Sequence, residues 1–94
     1  MIRSFASAPT RRFYETGKSR FSGPDEETAH LALAALDEAV SLAELGALRS
    51  IGLHKLKGDR KGQWAMTISG RWRLCFKFAD GDAFEVEIVD YHRG

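Results

Sequence analysis

The apolar residues change their spacing once, near residue 50, and that change limits the folds open to this chain. Before it, Leu33, Leu36 and Val40 recur at i, i+3 and i+7, with Ala29, Ala32 and Ala39 on the same side. That is the stripe of an amphipathic helix. After it, Trp64, Met66 and Ile68, then Trp72, Leu74, Phe76 and Phe78, then Phe84, Val86 and Ile88 fall on alternate residues. Alternation of this kind marks strands with one buried face. Helices followed by a run of strands indicate an α+β fold: two N-terminal helices packed on a small antiparallel sheet. With 94 residues, the chain is read as a single domain spanning 1–94.

Local signals set the expected elements. Ile2 to Phe5 reads as a short first strand. Ser7, Pro9 and Gly17 punctuate a first helix, with serine as cap, proline in the first turn and glycine as stop. Lys18 to Gly23 reads as a basic loop. Pro24 opens the second helix, Asp25, Glu26 and Glu27 fill its first turn, and it is expected to run to about Leu42. Gly46 and Leu48 to Gly52 form a connection, and Leu53 and Leu56 begin a short strand. All apolar members of the three later strands carry even numbers. A two-residue turn at Ser69-Gly70 would set Ile68 opposite Arg71, so a three-residue loop or a bulge near Gly70 is expected. The face opposite the core is expected to carry Arg73, Cys75, Lys77, Glu85 and Glu87.

Charge is unevenly spread. The net charge is only +1. Yet Arg49 to Lys77 holds eight Lys/Arg against Asp59 alone, while Pro24 to Leu48 holds six acids and no Lys/Arg. A basic block in a near-neutral chain suggests a local anionic partner such as RNA, or a solvated basic surface. One cysteine, Cys75, excludes an intrachain disulfide and fits a cytoplasmic setting. No apolar run approaches a membrane span, and Met1 to Phe5 lacks the apolar stretch of a signal peptide. Three histidines and one cysteine lack zinc-site spacing, so no metal or cofactor is expected.

Three segments carry a family resemblance. Leu53-His54-Lys55-Leu56-Lys57-Gly58-Asp59-Arg60-Lys61-Gly62-Gln63-Trp64, Gly70-Arg71-Trp72-Arg73-Leu74-Cys75-Phe76 and Val86-Glu87-Ile88-Val89-Asp90-Tyr91-His92 resemble, in order and spacing, the motifs of HigB toxins in the RelE/ParE superfamily. Ile2 to Phe5 and Phe13 to Gly17 fit the same branch. The resemblance implies the RelE-like microbial RNase fold. It implies a metal-independent endonuclease that cuts messenger RNA in the ribosomal A site, as the toxin of a type II toxin–antitoxin pair. It also implies a helix-turn-helix, HigA-like antitoxin through which the complex binds operator DNA.

Such cleavage uses the ribose 2′-hydroxyl as nucleophile. It needs a base, an acid for the departing 5′-oxygen, and cations for the phosphorane charge. The candidates are His54, Lys57, Arg73, Asp90, Tyr91 and His92. Imidazole exchanges protons near neutral pH; by resemblance His92 is favoured as the base, while His54 is the alternative base and the choice for the acid. Arg73, on the polar side of its strand, can grip phosphate with its fork or pair with Glu85 or Glu87. Lys57 is a point charge for phosphate or the leaving group. Asp90 would orient a histidine, and Tyr91 would stack on a base or reach the reacting oxygen. Strict alternation sends Asp90 and His92 to the apolar face and Tyr91 to the other, so convergence requires the strand to end or bulge near Val89. Arg93-Gly94, beyond His92, is a departure that could crowd the site. Arg11, Arg12, Lys18, Arg20, Lys55, Arg60, Lys61, Arg71 and Lys77 are expected to hold ribosomal RNA by charge. Two other readings stay open: a non-nuclease toxin of the ParE kind acting on DNA gyrase, and an inactive domain that only binds an antitoxin.

Overall fold

A computed structural model describes residues 1–18, 23–48 and 51–90. It contains helices α1 (Ala8–Thr16), α2 (Glu26–Glu38) and α3 (Leu42–Gly46) and strands β1 (His54–Lys55), β2 (Trp64–Ser69), β3 (Trp72–Ala79) and β4 (Asp82–Asp90). The strands form one antiparallel sheet in the order β1-β2-β3-β4. This is the α+β fold expected from the change of period. No helix among the described residues is long and apolar enough to cross a membrane.

Each helix begins and ends for a local reason. Gly17, at φ 76°, closes α1 and donates its N–H to Phe13. Ser7 does not cap the backbone of α1; its hydroxyl meets that of Thr10 at 2.8 Å. Asp25 is the cap of α2, accepting from the N–H groups of Glu27 and Thr28, so Pro24 lies before the helix and not in it. The expected continuation to Leu42 does not occur. Ser41 accepts from Glu44 N–H and starts a separate helix, while Glu44 accepts from Val40 N–H. Val40, assigned to the apolar stripe by its spacing, is therefore 68% exposed.

α2 lies over β2, β3 and β4, and α1 over β4, all on one side of the sheet. Phe13, Leu33, Leu36, Met66, Leu74, Phe76 and Val86 fill the layer between, each at 1% exposure or less. Thr10 ties the layers together: its buried hydroxyl accepts the N–H of Ile88 on β4 at 3.0 Å. Ile2 to Phe5 runs parallel to β4, but it makes only two isolated bridges, Ile2 to Ala83 and Phe5 to Val86, and not the regular strand its sequence suggests.

Two bulges set the faces. In β2 the register shifts between Thr67 and Ser69, which reconciles Ile68 with the even-numbered residues of β3 as expected near Gly70. In β4 a second shift, centred on Glu85 at φ 51°, makes Glu85 and Val86 share the position opposite Phe76. Val86 and Ile88 stay in the core, but Phe84 pairs with Lys77 and Ala83 takes the core position. Phe84 thus leaves the apolar face to which alternation assigned it. A residue inserted into one strand inverts the alternation beyond it.

Candidate functional site

The sheet face turned away from the helices carries two cross-strand rows. One runs His54, Ala65, Cys75, Glu87; the next runs Thr67, Arg73, Val89. Their floor is a small second core of Leu56, Ala65 and Cys75, with Val89 packed against it. The 3-10 turn Gly58–Arg60 folds back beside this floor. Arg60 donates to Gln63 at 3.1 Å and lies 3.5 Å from Glu87. Burial pushes the Cys75 thiol above its ordinary pKa. Glu87 adds to that effect, and Arg60 and Arg73 oppose it.

His54 is exposed at the sheet edge, its Nδ1 3.0 Å from the carbonyl of Gly52. A carbonyl can only accept, so Nδ1 bears hydrogen. Nε2 is left as lone pair in the neutral ring and as N–H in the charged ring. Either form of proton transfer is then available at one atom. Gly52 has φ 60°, and a Cβ there would lie 2.9 Å from Thr67 Oγ1, so only glycine lets this loop lie against β2. Neither Gly52 nor Thr67 was singled out from sequence. The signal was a glycine two residues before a candidate histidine.

Arg73 is half-buried. It donates through Nη1 to the carbonyls of Gly70 (2.7 Å) and Trp72 (3.0 Å). The acids that could have paired with it are engaged elsewhere: Glu85 with Lys77 at 2.8 Å and Glu87 with Arg60. Among the described residues the Arg73 guanidinium therefore keeps a charge that no carboxylate offsets. Lys57 is exposed, and with Lys55, Leu56, Gly58 and Lys61 it lines a hollow of about 410 Å³ beside β1.

The remaining candidates divide. β4 stays regular through Asp90, which pairs with Trp72 and so lies on the helix-side parity, opposite in sense to Arg73 and Val89. Asp90 meets Arg71 at 3.6 Å. No bulge near Val89 brings Asp90 round to the His54 face. Tyr91, His92, Arg93 and Gly94 lie outside the described residues, as does Arg20. Arg11 and Arg12 belong to α1 on the helix side, Arg11 with its guanidinium 5.7 Å from the Phe5 ring. Lys18 follows α1. Lys55 Nζ lies 5.9 Å from the Trp64 ring. The acidic helix α2 is on the side of the sheet opposite His54 and Arg73.

The family model for the RelE-like toxin of the type II toxin-antitoxin system HigB matches residues 3–92. An endoribonuclease HigB from Proteus vulgaris is 38% identical over 94 residues, a span of 98% of this chain and 100% of that protein. A match through β1, the turn after it, β2, β3 and β4 takes in every element that builds the His54–Arg73 face, and the chain belongs to the HigB family of RelE-like toxins of type II toxin–antitoxin systems.

Proposed function

We propose that the chain is an endoribonuclease that cuts messenger RNA in the ribosomal A site, without a metal, by attack of the ribose 2′-hydroxyl. The observation that carries this reading is the presence, on one sheet face, of a histidine with a defined proton-exchanging atom and an arginine whose charge no carboxylate among the described residues offsets. The similarity to an endoribonuclease HigB supports it from a separate direction. In the reaction, a base removes the 2′-hydroxyl proton as the oxygen bonds to phosphorus, and an acid protonates the departing 5′-oxygen. The products are a 2′,3′-cyclic phosphate and a 5′-hydroxyl. Arg73 holds the phosphorane oxygens, and Lys57 contributes a second cation. His54 donates to the leaving oxygen, and His92 takes the 2′ proton. Asp90, set beside Arg71, positions the chain end that bears His92, and Tyr91 stacks on a base or reaches the reacting oxygen.

Lys55 and Lys61, around the hollow after β1, hold RNA phosphate by charge, and Lys18, Arg11, Arg12, Arg20, Arg60, Arg71 and Lys77 widen the basic surface toward ribosomal RNA. As a type II toxin the chain has an antitoxin partner. We take this to be a HigA-like helix-turn-helix protein that also carries the complex to operator DNA. A toxin acting on ribosomes works in the cytoplasm, as the single domain 1–94. The test is cleavage of mRNA by purified protein, with and without programmed ribosomes, in excess chelator. Cuts in the A-site codon that need ribosomes and survive chelation are the expected result. Intact mRNA in both conditions, with folded protein, would turn the reading to a gyrase-directed or purely antitoxin-binding toxin.

A further inference from the structure

The β4 bulge places an aromatic ring where alternation puts none. With Glu85 and Val86 sharing the position opposite Phe76, Phe84 pairs with Lys77 on the face that carries Arg73, Cys75 and Glu87. The bulge is held at a cost, since Glu85 has φ 51°, a left-handed conformation that side chains with a Cβ disfavour. Regular pairing would put Phe84 in the core and small Ala83 outside. Among the described residues Phe84 packs against neither the main core nor the small cluster under the site. Bulges beside functional sites commonly re-aim one side chain, and the side chain re-aimed in β4 is a large apolar ring.

The surroundings of that ring fit nucleic acid. Its cross-strand partner is the exposed cation Lys77. Two carboxylates share the face, Glu85 and Glu87, and each is held by a cation, Lys77 at 2.8 Å and Arg60 at 3.5 Å. The local charge facing a strand of RNA is therefore close to balanced and not acidic. Aromatic rings on a sheet face beside lysine and arginine are a general means of holding single-stranded RNA, because every base offers a π-face. Lys77 is four residues along β3 from Arg73, about 13 Å at the rise of a strand. That separation places Phe84 beside a nucleotide flanking the one that is cut.

We propose that Phe84 is a stacking platform for a nucleobase flanking the cleaved bond; the proposal rests on the RNA-cleavage reading above. The test uses programmed ribosomes carrying mRNA with 2-aminopurine placed in turn at each nucleotide of the A-site codon and at its two neighbours, so that every position flanking the cut is read. Wild-type protein should quench the fluorescence at one flanking position. Phe84→Leu should lose that quenching and raise KM between about 5-fold and about 100-fold, with a smaller change in kcat. Phe84→Trp should restore both. If the wild type cuts RNA but quenches no flanking position, or if folded Phe84→Leu has the wild-type KM, the stacking role is overturned and the cleavage reading stands. If the wild type cuts no RNA, both fall. If Phe84→Leu does not fold, Phe84→Met is read in the same two measurements, because quenching by the wild type alone could come from Tyr91.

Discussion

Arg60 reaches across the outer face of the sheet to within 3.5 Å of Glu87 on β4. Through it the turn after β1 is fastened over the small cluster of Leu56, Ala65 and Cys75. Both side chains are about one-third exposed, at 32% and 29%. A pair so open to solvent contributes little to stability, about 0–1 kcal/mol. Arg60→Ala and Glu87→Gln should each lower the urea midpoint only slightly. In a double-mutant cycle the coupling between them should stay below about 1 kcal/mol. A coupling of several kcal/mol would mean that the pair is a structural centre and not a surface fastening.

Cys75 lies beneath that fastening with no exposed surface. Burial raises its thiol pKa, so the folded protein keeps it protonated where the unfolded chain, with an ordinary value of about 8.5, has begun to ionise. The sign follows: the contribution to stability is complete below about pH 8.5 and is lost as pH rises through the raised folded value. Native protein should resist thiol reagents at pH 8 and react fully in denaturant. Cys75→Ala should cost about 1 kcal/mol at neutral pH and remove this part of the alkaline slope. Prompt labelling of native protein would contradict the buried placement.

Arg73 tests the reaction and not the fold. Its bonds go to two carbonyls at the β2–β3 turn, and no described carboxylate would be stranded by its loss. Arg73→Ala should therefore leave the thermal midpoint nearly unchanged while cleavage falls about a hundredfold or more, the usual loss for a donor to a developing oxyanion. Arg73→Lys should recover only part, because an ammonium cannot reproduce the guanidinium fork. Full cleavage by a folded Arg73→Ala protein would remove it from the site.

Much of this arrangement was legible in the residues, and the failures have physical causes. The period change gave the helices and the meander, and the parity conflict at Ser69-Gly70 required the bulge that β2 contains. The polar side of β3, with Arg73, followed from alternation alone. The end of α2 was missed because hydrophobic spacing continues through Val40, while the Ser41-Leu42-Ala43-Glu44 capping signature, which was present, restarts the helix. The β4 bulge was not legible: nothing in Ala83-Phe84-Glu85-Val86 departs from alternation, and a Glu in the left-handed region leaves no mark in sequence. Its consequence is that Phe84 sits with Lys77. The pairing partners of Arg73 were also open, since choosing between Glu85 and Glu87 needed the positions of Lys77 and Arg60.

Thr10 offers a measure of how α1 is held. Its hydroxyl, with no exposed surface, accepts the Ile88 N–H and meets Ser7. Thr10→Val keeps the shape but leaves the Ile88 N–H without that acceptor, a buried loss of about 1–3 kcal/mol. Urea unfolding should show that decrease, and Thr10→Ser, which retains the hydroxyl, should lose less. No loss in Thr10→Val together with a loss in Thr10→Ser would assign the effect to the methyl group and not to the hydrogen bond.

Gly52 connects stability to the candidate histidine. It holds φ 60°, lies against Thr67, and supplies the carbonyl to which His54 Nδ1 donates. Gly52→Ala meets two separate penalties. The left-handed backbone costs an alanine about 1–2 kcal/mol, and its Cβ would stand 2.9 Å from Thr67 Oγ1, too close unless the loop or the strand moves. The second penalty depends on one removable atom; the next nearest atom, Thr67 Cβ, is at an ordinary 3.8 Å. Thr67→Ala should therefore rescue Gly52→Ala in part, returning the contact penalty but not the backbone one, so the two substitutions should be non-additive. Cleavage should follow the same pattern, because displacement of the loop displaces the His54 ring. Thermal midpoints and cleavage rates for the two single variants and the double variant check this. Strict additivity in both would mean that Gly52 is required for its backbone conformation alone, and that its approach to Thr67 has no part in placing His54.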